Sequence, residues 1–253
     1  MSVPASTADH RFGAARLHRL WQQAAGEWQA PARGCVLAIV AAVDREAEAW
    51  TGLSSDEQQA LARLRRADDR AAYAMAHGLA REAFARLTGE ASDRMRLSYH
   101  SAGRPVLVNH EHLTLSLSHA RAVVAVAIGW DVRVGIDVEP LTGSAPDAGT
   151  LELALTTEEQ AMLAALSTPA ASEQSFLQLW TAKEAILKAH GLGLPAGLQR
   201  ISLAKGFDRP SIDLPGADRL DLDIAGFVHG GAVCTLAVEA GVRRLIVENR
   251  PVP

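Results

Sequence analysis

The stretch from Arg96 to Val138 constrains the fold most, because it breaks into short apolar segments with very short connections. Arg96–His100, Leu113–Leu117, Val123–Ile128 and Val132–Val138 each read as strands. The turn Gly103-Arg104-Pro105, the tetrapeptide Ser118-His119-Ala120-Arg121 and the tripeptide Gly129-Trp130-Asp131 punctuate them. Links this short argue for antiparallel neighbours, since a parallel pair needs a crossover of about a dozen residues.

Helical texture precedes and follows these strands. The run Cys35–Val43 is rich in β-branched residues and reads as a buried strand. A helix then starts near Ser54, which has the spacing of a capping box with Glu57. The charged stretch Arg63–Arg70 leads into a second helix that ends at Gly89. That helix sets Tyr73, Ala76, Ala80, Phe84 and Leu87 on one side. Past the strands, a loop with Gly143, Ser144, Pro146 and Gly149 is expected to be mobile. Thr157 with Gln160 is expected to cap the next helix, and a longer helix runs from about Ser172 to His190 and stops at Gly191. Gly230-Gly231 between Leu222–Val228 and Ala232–Val238 signals a hairpin. Helices then strands, twice over, predict an α+β fold with two similar halves and small antiparallel sheets. The expected division is an N-terminal extension over 1–32 with a weak helix near Gly13–Trp28, an N-terminal half over 33–130 and a C-terminal half over 131–253. No sequence repeat proves a duplication.

Composition removes several classes of function. The chain has 253 residues, 48% hydrophobic and 21% charged, so it is not a disordered segment and can bury a full core. Cys35 and Cys234 are too few for a disulfide framework or a zinc finger, and suit a reducing cytosol. A net charge of −4 and a pI near 6.1 argue against a nucleic-acid partner held by bulk charge. The longest apolar run, Val36–Val43, falls far short of the ~20 residues of a membrane helix, and the first residues lack a signal peptide's apolar run. These features predict a cytoplasmic protein with no membrane partner.

Two motifs carry chemistry. In Val134-Gly135-Ile136-Asp137-Val138-Glu139-Pro140, a strand would send Ile136 and Val138 to one face and Asp137 and Glu139 to the other. Adjacent carboxylates repel unless a cation lies between them, and an oxygen-only set suits a hard ion such as Mg²⁺. An edge strand with a solvated acidic face gives the same pattern, and spacing alone favours it. The second motif, Trp180-Thr181-Ala182-Lys183-Glu184-Ala185-Ile186-Leu187-Lys188-Ala189-His190-Gly191, puts Trp180, Glu184 and Lys188 on one helical stripe flanked by Lys183. That stripe could be an anion site with a built-in base. Taken alone, the spacing favours a Glu-to-Lys pair at i, i+4, worth only tenths of a kcal/mol.

Together, Gly135-Ile136-Asp137-Val138-Glu139 and Trp180–Lys188 with Gly191 resemble the signatures of the 4′-phosphopantetheinyl transferases, in the larger, pseudo-dimeric Sfp-type class. Gly103-Arg104-Pro105 resembles the family's Gly-Lys-Pro turn, with Arg104 for the common lysine. Leu115-Ser116-Leu117-Ser118-His119 resembles its Asn-x-Ser-His segment, with Ser116 where Asn is frequent. Asp69-Arg70 and the helix to Arg81 resemble its N-terminal basic helix.

The resemblance implies a monomer that moves the 4′-phosphopantetheine arm of coenzyme A onto a serine of an apo acyl or peptidyl carrier protein, releasing adenosine 3′,5′-bisphosphate. It implies Mg²⁺, or Mn²⁺, on Asp137, Glu139 and Glu184, with Glu184 also the base for the serine proton. Lys188 and Lys183 are then expected on phosphate oxygens, Ser118 and His119 on coenzyme A phosphates, Arg104 along the adenine and its 3′-phosphate, and Arg66 and Arg70 near that phosphate. Glu158 matches an acidic family position near the metal. A Mg²⁺-dependent nucleotide pyrophosphate hydrolase or a non-catalytic coenzyme A-binding or carrier-binding module are the alternatives.

Overall fold

Strands buried on both faces set the layering of the molecule. The computed structural model describes residues 10–17, 33–43, 52–100, 104–120, 122–229 and 231–250. The first part holds β1 (His10–Gly13), β2 (Cys35–Ala42), α1 (Ser55–Arg63) and α2 (Ala67–Thr88). The small hairpin β3 (Leu97–Tyr99) and β4 (Pro105–Leu107) follows, then β5 (Leu113–Ala120) and β6 (Val123–Trp130). The second part holds β7 (Val134–Pro140), α3 (Ala148–Ala154), α4 (Thr157–Ala164) and α5 (Pro169–His190). It closes with β8 (Ile201–Ser202), β9 (Ser211–Ile212), β10 (Leu222–His229), β11 (Ala232–Glu239) and β12 (Arg244–Arg250).

Two four-stranded sheets, β12-β2-β6-β5 and β1-β10-β11-β7, lie between α2 and α5. Alternation along β2 shows how the layers form. Val36, Ala38 and Val40 join Ile136, Val138, Phe227 and Leu236 in the core between the sheets. Leu37, Ile39 and Ala41 face α2, against Ala76, Ala80 and Phe84. A strand covered on both sides needs an unbroken apolar run, which is what Cys35–Ala42 supplies. In the other half Ile224 and Ala237 meet Leu179, Ala182 and Ile186 of α5. The fold is α+β, and among the described residues the pairing is antiparallel except that β12 lies parallel to β2.

The halves repeat one another in a way side-chain identity conceals. Ser54 and Glu57 form a capping box at α1, and Thr156 and Glu159 form one at α4. Gln58 donates to the Leu53 carbonyl and Gln160 to the Leu155 carbonyl, each five residues back. Glu57 pairs with Arg81, and Glu159 with Lys183, each 24 residues on. Helices α2 and α5 both have 22 residues and both end on a left-handed glycine, Gly89 and Gly191.

Several expectations shift. The cap of α4 is Thr156 with Glu159, one residue before Thr157 and Gln160. The last long helix starts at Pro169 behind Thr168, whose side chain accepts from the Ala171 amide. Ser118, His119 and Ala120 extend β5 instead of leaving it. The loop after β7 is pinned, because the buried Glu173 carboxylate accepts from the Thr142 amide and hydroxyl and the Gly143 amide. Of the expected extension, His10–Gly13 is strand β1, paired with β10 of the second sheet, while β12 returns to the first. Most of the helix expected near residues 13–28, and Gly103 and Gly230 of the two turns, lie outside the described residues. The division at residue 131 stays a proposal, with these terminal strands exchanged between the halves.

Candidate active site

The site forms where β7 presses against α5. Gly135 allows that contact: a Cβ there would stand 1.9 Å from the Ala185 carbonyl oxygen and 2.6 Å from the Ala189 amide. Only glycine lets the strand approach helix backbone so closely. One residue further along the same face, Asp137 meets Lys188, whose Nζ donates to Asp137 Oδ1 at 2.7 Å and to the Ile136 carbonyl at 3.2 Å. From the opposite side comes β5, the edge strand of the other sheet. Ser118 Oγ donates to Asp137 Oδ1 at 2.7 Å and accepts from the Val138 amide, while Ser116 Oγ accepts from the Ile136 amide. The two hydroxyls satisfy edge amides that β7 cannot pair within its own sheet.

This arrangement overturns the picture of a solvated acidic face. Asp137 is 3% exposed and Glu139 half-buried. Burial, with Asp137 and Glu184 nearby, pushes the Glu139 carboxyl up to about 7 against the opposing Lys188. Burial and Asp137 likewise push Glu184 up to about 7. Three acids share the neighbourhood of one ammonium, so negative charge is in excess. Asp137 Oδ2 is buried and accepts no hydrogen bond. An orphaned carboxylate oxygen amid uncompensated acids fits a hard divalent cation such as Mg²⁺. Among the described residues, no three His, Cys, Asp or Glu side chains form a metal-binding cluster in this arrangement. Lys188 sits on Asp137 rather than forming the i, i+4 pair with Glu184.

Beside the acids the cleft continues in two cavities. One, of about 160 Å³, is walled by Arg104, Leu115, Leu117, Glu184, Lys188 and Gly191. Arg104 lies against the C-terminal end of α5: a Cβ on Gly191, whose φ is +75°, would stand 2.6 Å from Arg104 Nη1. Its Nε is buried without a partner. The larger cavity, about 660 Å³, is walled by Glu57, Tyr73, His77, Tyr99, Leu117 and His119. His119 stands exposed at its rim. Partial desolvation and the positive fields of His77 and Lys188 hold its imidazole below the usual range. The aromatic wall was not among the expected site residues. Tyr73 and His77 stack with ring centroids 4.1 Å apart, and their spacing of four on α2 was the available signal.

Other expected residues stand elsewhere or act differently. Lys183 is a correction: it is fully buried, and its ammonium donates to Glu159 Oε2 at 2.5 Å and the Ala154 carbonyl at 2.8 Å, away from Asp137. Ser118 is committed to Asp137 and the β7 backbone, so its hydroxyl orients an acid rather than standing open to phosphate. Arg70 donates to the Leu64 and Arg65 carbonyls and braces the link between α1 and α2. Arg66 is exposed at the start of α2, and Glu158 is exposed on the first turn of α4, while the buried acid is its neighbour Glu159. Cys35 and Cys234 are buried free thiols, and burial pushes Cys234 far up. Among the described residues, no helix is long and apolar enough to cross a membrane.

Sequence comparison relates the chain that carries this cleft to known proteins. The family model described as the 4′-phosphopantetheinyl transferase superfamily matches residues 133–229, from just before β7 to the end of β10. The chain is 29% identical over 155 residues to the 4′-phosphopantetheinyl transferase HetI of Nostoc sp. strain PCC 7120, covering 60% of this chain and 65% of that one. It is 27% identical over 154 residues to slr0495 of Synechocystis sp. strain PCC 6803, to which the same transferase activity is assigned provisionally, covering 59% and 61%. The aligned part thus spans a little under two thirds of either relative's length.

Proposed function

We infer, from the match of residues 133–229 to the 4′-phosphopantetheinyl transferase superfamily model and the likeness to the two relatives, that this chain transfers the 4′-phosphopantetheine group of coenzyme A to a serine hydroxyl of an apo acyl or peptidyl carrier protein. Adenosine 3′,5′-bisphosphate leaves. The observation that carries this reading is the convergence of Asp137, Glu139, Glu184 and Lys188 at a cleft, with Asp137 Oδ2 left unpartnered. We propose further that the chain works as a monomer in the cytoplasm.

Attack by a hydroxyl on a pyrophosphate needs a proton acceptor, fixed reactants and neutralised charge. Glu184, half-buried on the wall of the cleft beside Lys188, is placed to take the serine proton. Lys188, held in place by Asp137 and the Ile136 carbonyl, offers its ammonium to a phosphate oxygen. Ser118 fixes Asp137 on the strand. Arg104, with an unsatisfied buried Nε, and His119, at the rim of the larger cavity, suit the anionic nucleotide end of the donor. Asp137, Glu139 and Glu184 would hold Mg²⁺ or Mn²⁺, which when bound neutralises charge on the pyrophosphate.

The test is incubation of the purified chain with coenzyme A, Mg²⁺ and an apo carrier protein, read by the intact mass of the carrier. A gain of one phosphopantetheine is the expected result. Release of the bisphosphate without mass gain would make the protein a pyrophosphate hydrolase. Coenzyme A binding without either product would make it a binding module.

A further inference from the structure

We infer that Lys183 is a positioning residue: through its buried pair with Glu159 it sets how α5 lies on the second sheet, and therefore where Glu184 and Lys188 stand. The inference rests on the transferase reading of the cleft, because Glu184 and Lys188 are the groups it places.

Glu159 is the centre of a three-way brace. Its Oε2 accepts from the Thr156 amide at 2.9 Å, closing the capping box of α4, and from Lys183 Nζ at 2.5 Å. Its Oε1 accepts from the Leu203 amide at 2.7 Å. One carboxylate thus ties the start of α4, the segment after β8 and the middle of α5. Both Glu159 and Lys183 are 0% exposed. A buried ion pair is held in register by its geometry, and removing one partner strands a charge in the interior. Glu184 is the next residue along α5 and Lys188 lies further down the same helix, so a displacement of α5 moves both relative to Asp137. An error of about 1 Å in such a constellation can cost about 10²-fold in rate.

The other half argues that this brace is not part of the chemistry. Glu57 closes the capping box of α1 by accepting from the Ser54 amide at 2.7 Å, and reaches Arg81 in the middle of α2. The spacing from acid to cation is 24 residues in both halves. Facing α2, however, β2 offers Leu37, Ile39 and Ala41, with no acid for a metal or a base to work with. A cation kept at the same place in a half that has no acidic strand is there to hold the helix.

Four variants test this: Lys183→Met, Glu159→Gln, the two combined, and Lys183→Arg, which installs the residue of the first half. Each is assayed for carrier modification, the coenzyme A KM, the pH profile and thermal unfolding. Either single replacement should lower kcat at least about tenfold and lower the melting temperature, because a buried charge loses its partner. The double replacement should regain kcat to within about fivefold of the wild type, with an unchanged coenzyme A KM and pH profile, since contacting groups couple non-additively. Lys183→Arg should likewise retain transfer. A double variant or an arginine variant that is thermally stable yet inactive would show that the lysine ammonium is needed in the reaction, and would overturn the inference. So would a raised coenzyme A KM at unchanged kcat, the mark of a phosphate contact, or additive thermal effects of the two single replacements. A wild-type chain that modifies no carrier would instead remove the transferase reading, and the thermal coupling of the pair would remain measurable.

Discussion

The two helix-on-sheet halves share a scaffold and differ in what the first long strand of each half offers its helix. Toward α2, β2 presents Leu37, Ile39 and Ala41, and the contact is an ordinary apolar core. Toward α5, β7 presents Gly135, Asp137 and Glu139. Each helix carries a carboxylate just after its buried cation, and a second basic residue four positions on: Glu82 and Arg86 in α2, Glu184 and Lys188 in α5. Lys188 turns inward because β7 gives it an acid, with Nζ 2.7 Å from Asp137. Arg86 turns away from its apolar strand and pairs with Glu82 and with Glu248 of β12. The difference teaches that helix motifs of this kind acquire chemistry only when the facing strand supplies charge in a desolvated place.

The sharpest way to break this comparison is to neutralise the strand. Asp137→Asn keeps the side chain's size and an oxygen for Ser118, but removes the charge that holds Lys188. Loss of the proposed cation site and its charge stabilisation would be worth several kcal/mol, so transfer should fall by about 10³-fold or more. Alanine is the poorer probe, because Asp137 is buried and also ties β5 to β7. Retention of transfer within tenfold in Asp137→Asn, assayed by carrier mass, would remove the acids of β7 from the mechanism.

The helix comes next. Glu184→Gln should lose at least about two orders of magnitude in kcat at saturating Mg²⁺, the usual range for a missing general base. Its counterpart Glu82→Gln should leave kcat unchanged. Equal losses in the two variants would mean that both carboxylates act through stability, and melting temperatures would show it.

The sequence made some of this legible and hid the rest for physical reasons. The strand alternation and the capping signal at Ser54 are local, so they could be read directly. The placing of Asp137 and Glu139 on one face followed from strand geometry alone. Their burial did not, because it depends on β5 supplying Ser116 and Ser118 from the neighbouring sheet. Lys183 adjoins Glu184 in sequence and flanks its stripe, yet its partner is a capping-box acid on another helix. Two similar halves were expected, but no sequence repeat showed them, because what repeats is a pattern of contacts, Glu57 to Arg81 and Glu159 to Lys183, made with different cations. The parallel return of β12 to β2 has no local signature, since its register is fixed by residues far apart in the chain.

The first half can also be challenged by acid. Burial alone would raise the Glu57 carboxyl, but hydrogen bonds from His77 and the Ser54 amide and the charge of Arg81 outweigh it and hold the group at about 2, below its ordinary 4.5. A carboxyl depressed in this way contributes stability that is fully present above about pH 4.5 and is lost as the pH falls toward 2. The contribution is on the order of 3 kcal/mol. Glu57→Gln should therefore lower the melting temperature at neutral pH and flatten its decline between pH 4.5 and 2. Parallel melting curves for the variant and the wild type across that window would show that the brace in α1 and α2 does not carry the linkage.

The smallest effect should come from the outward-turned counterpart of Lys188. Arg86 and Glu248 are joined at 2.5 Å with side chains 29% and 28% exposed, on the flank where β12 meets α2. Ion pairs open to solvent contribute about 0–1 kcal/mol, because water screens the charges and holding two long side chains together costs entropy. In a chain of this length that corresponds to a melting shift of less than about 4 °C. Arg86→Ala should stay within that range and should leave kcat and the coenzyme A KM unchanged, while Lys188→Ala should abolish transfer. The pair also joins the last strand to the first half, so any shift should shrink in high salt. Impaired transfer in Arg86→Ala at an unchanged melting temperature would mean that the flank of α2 beside β12, and not only the cleft, takes a direct part in binding or chemistry.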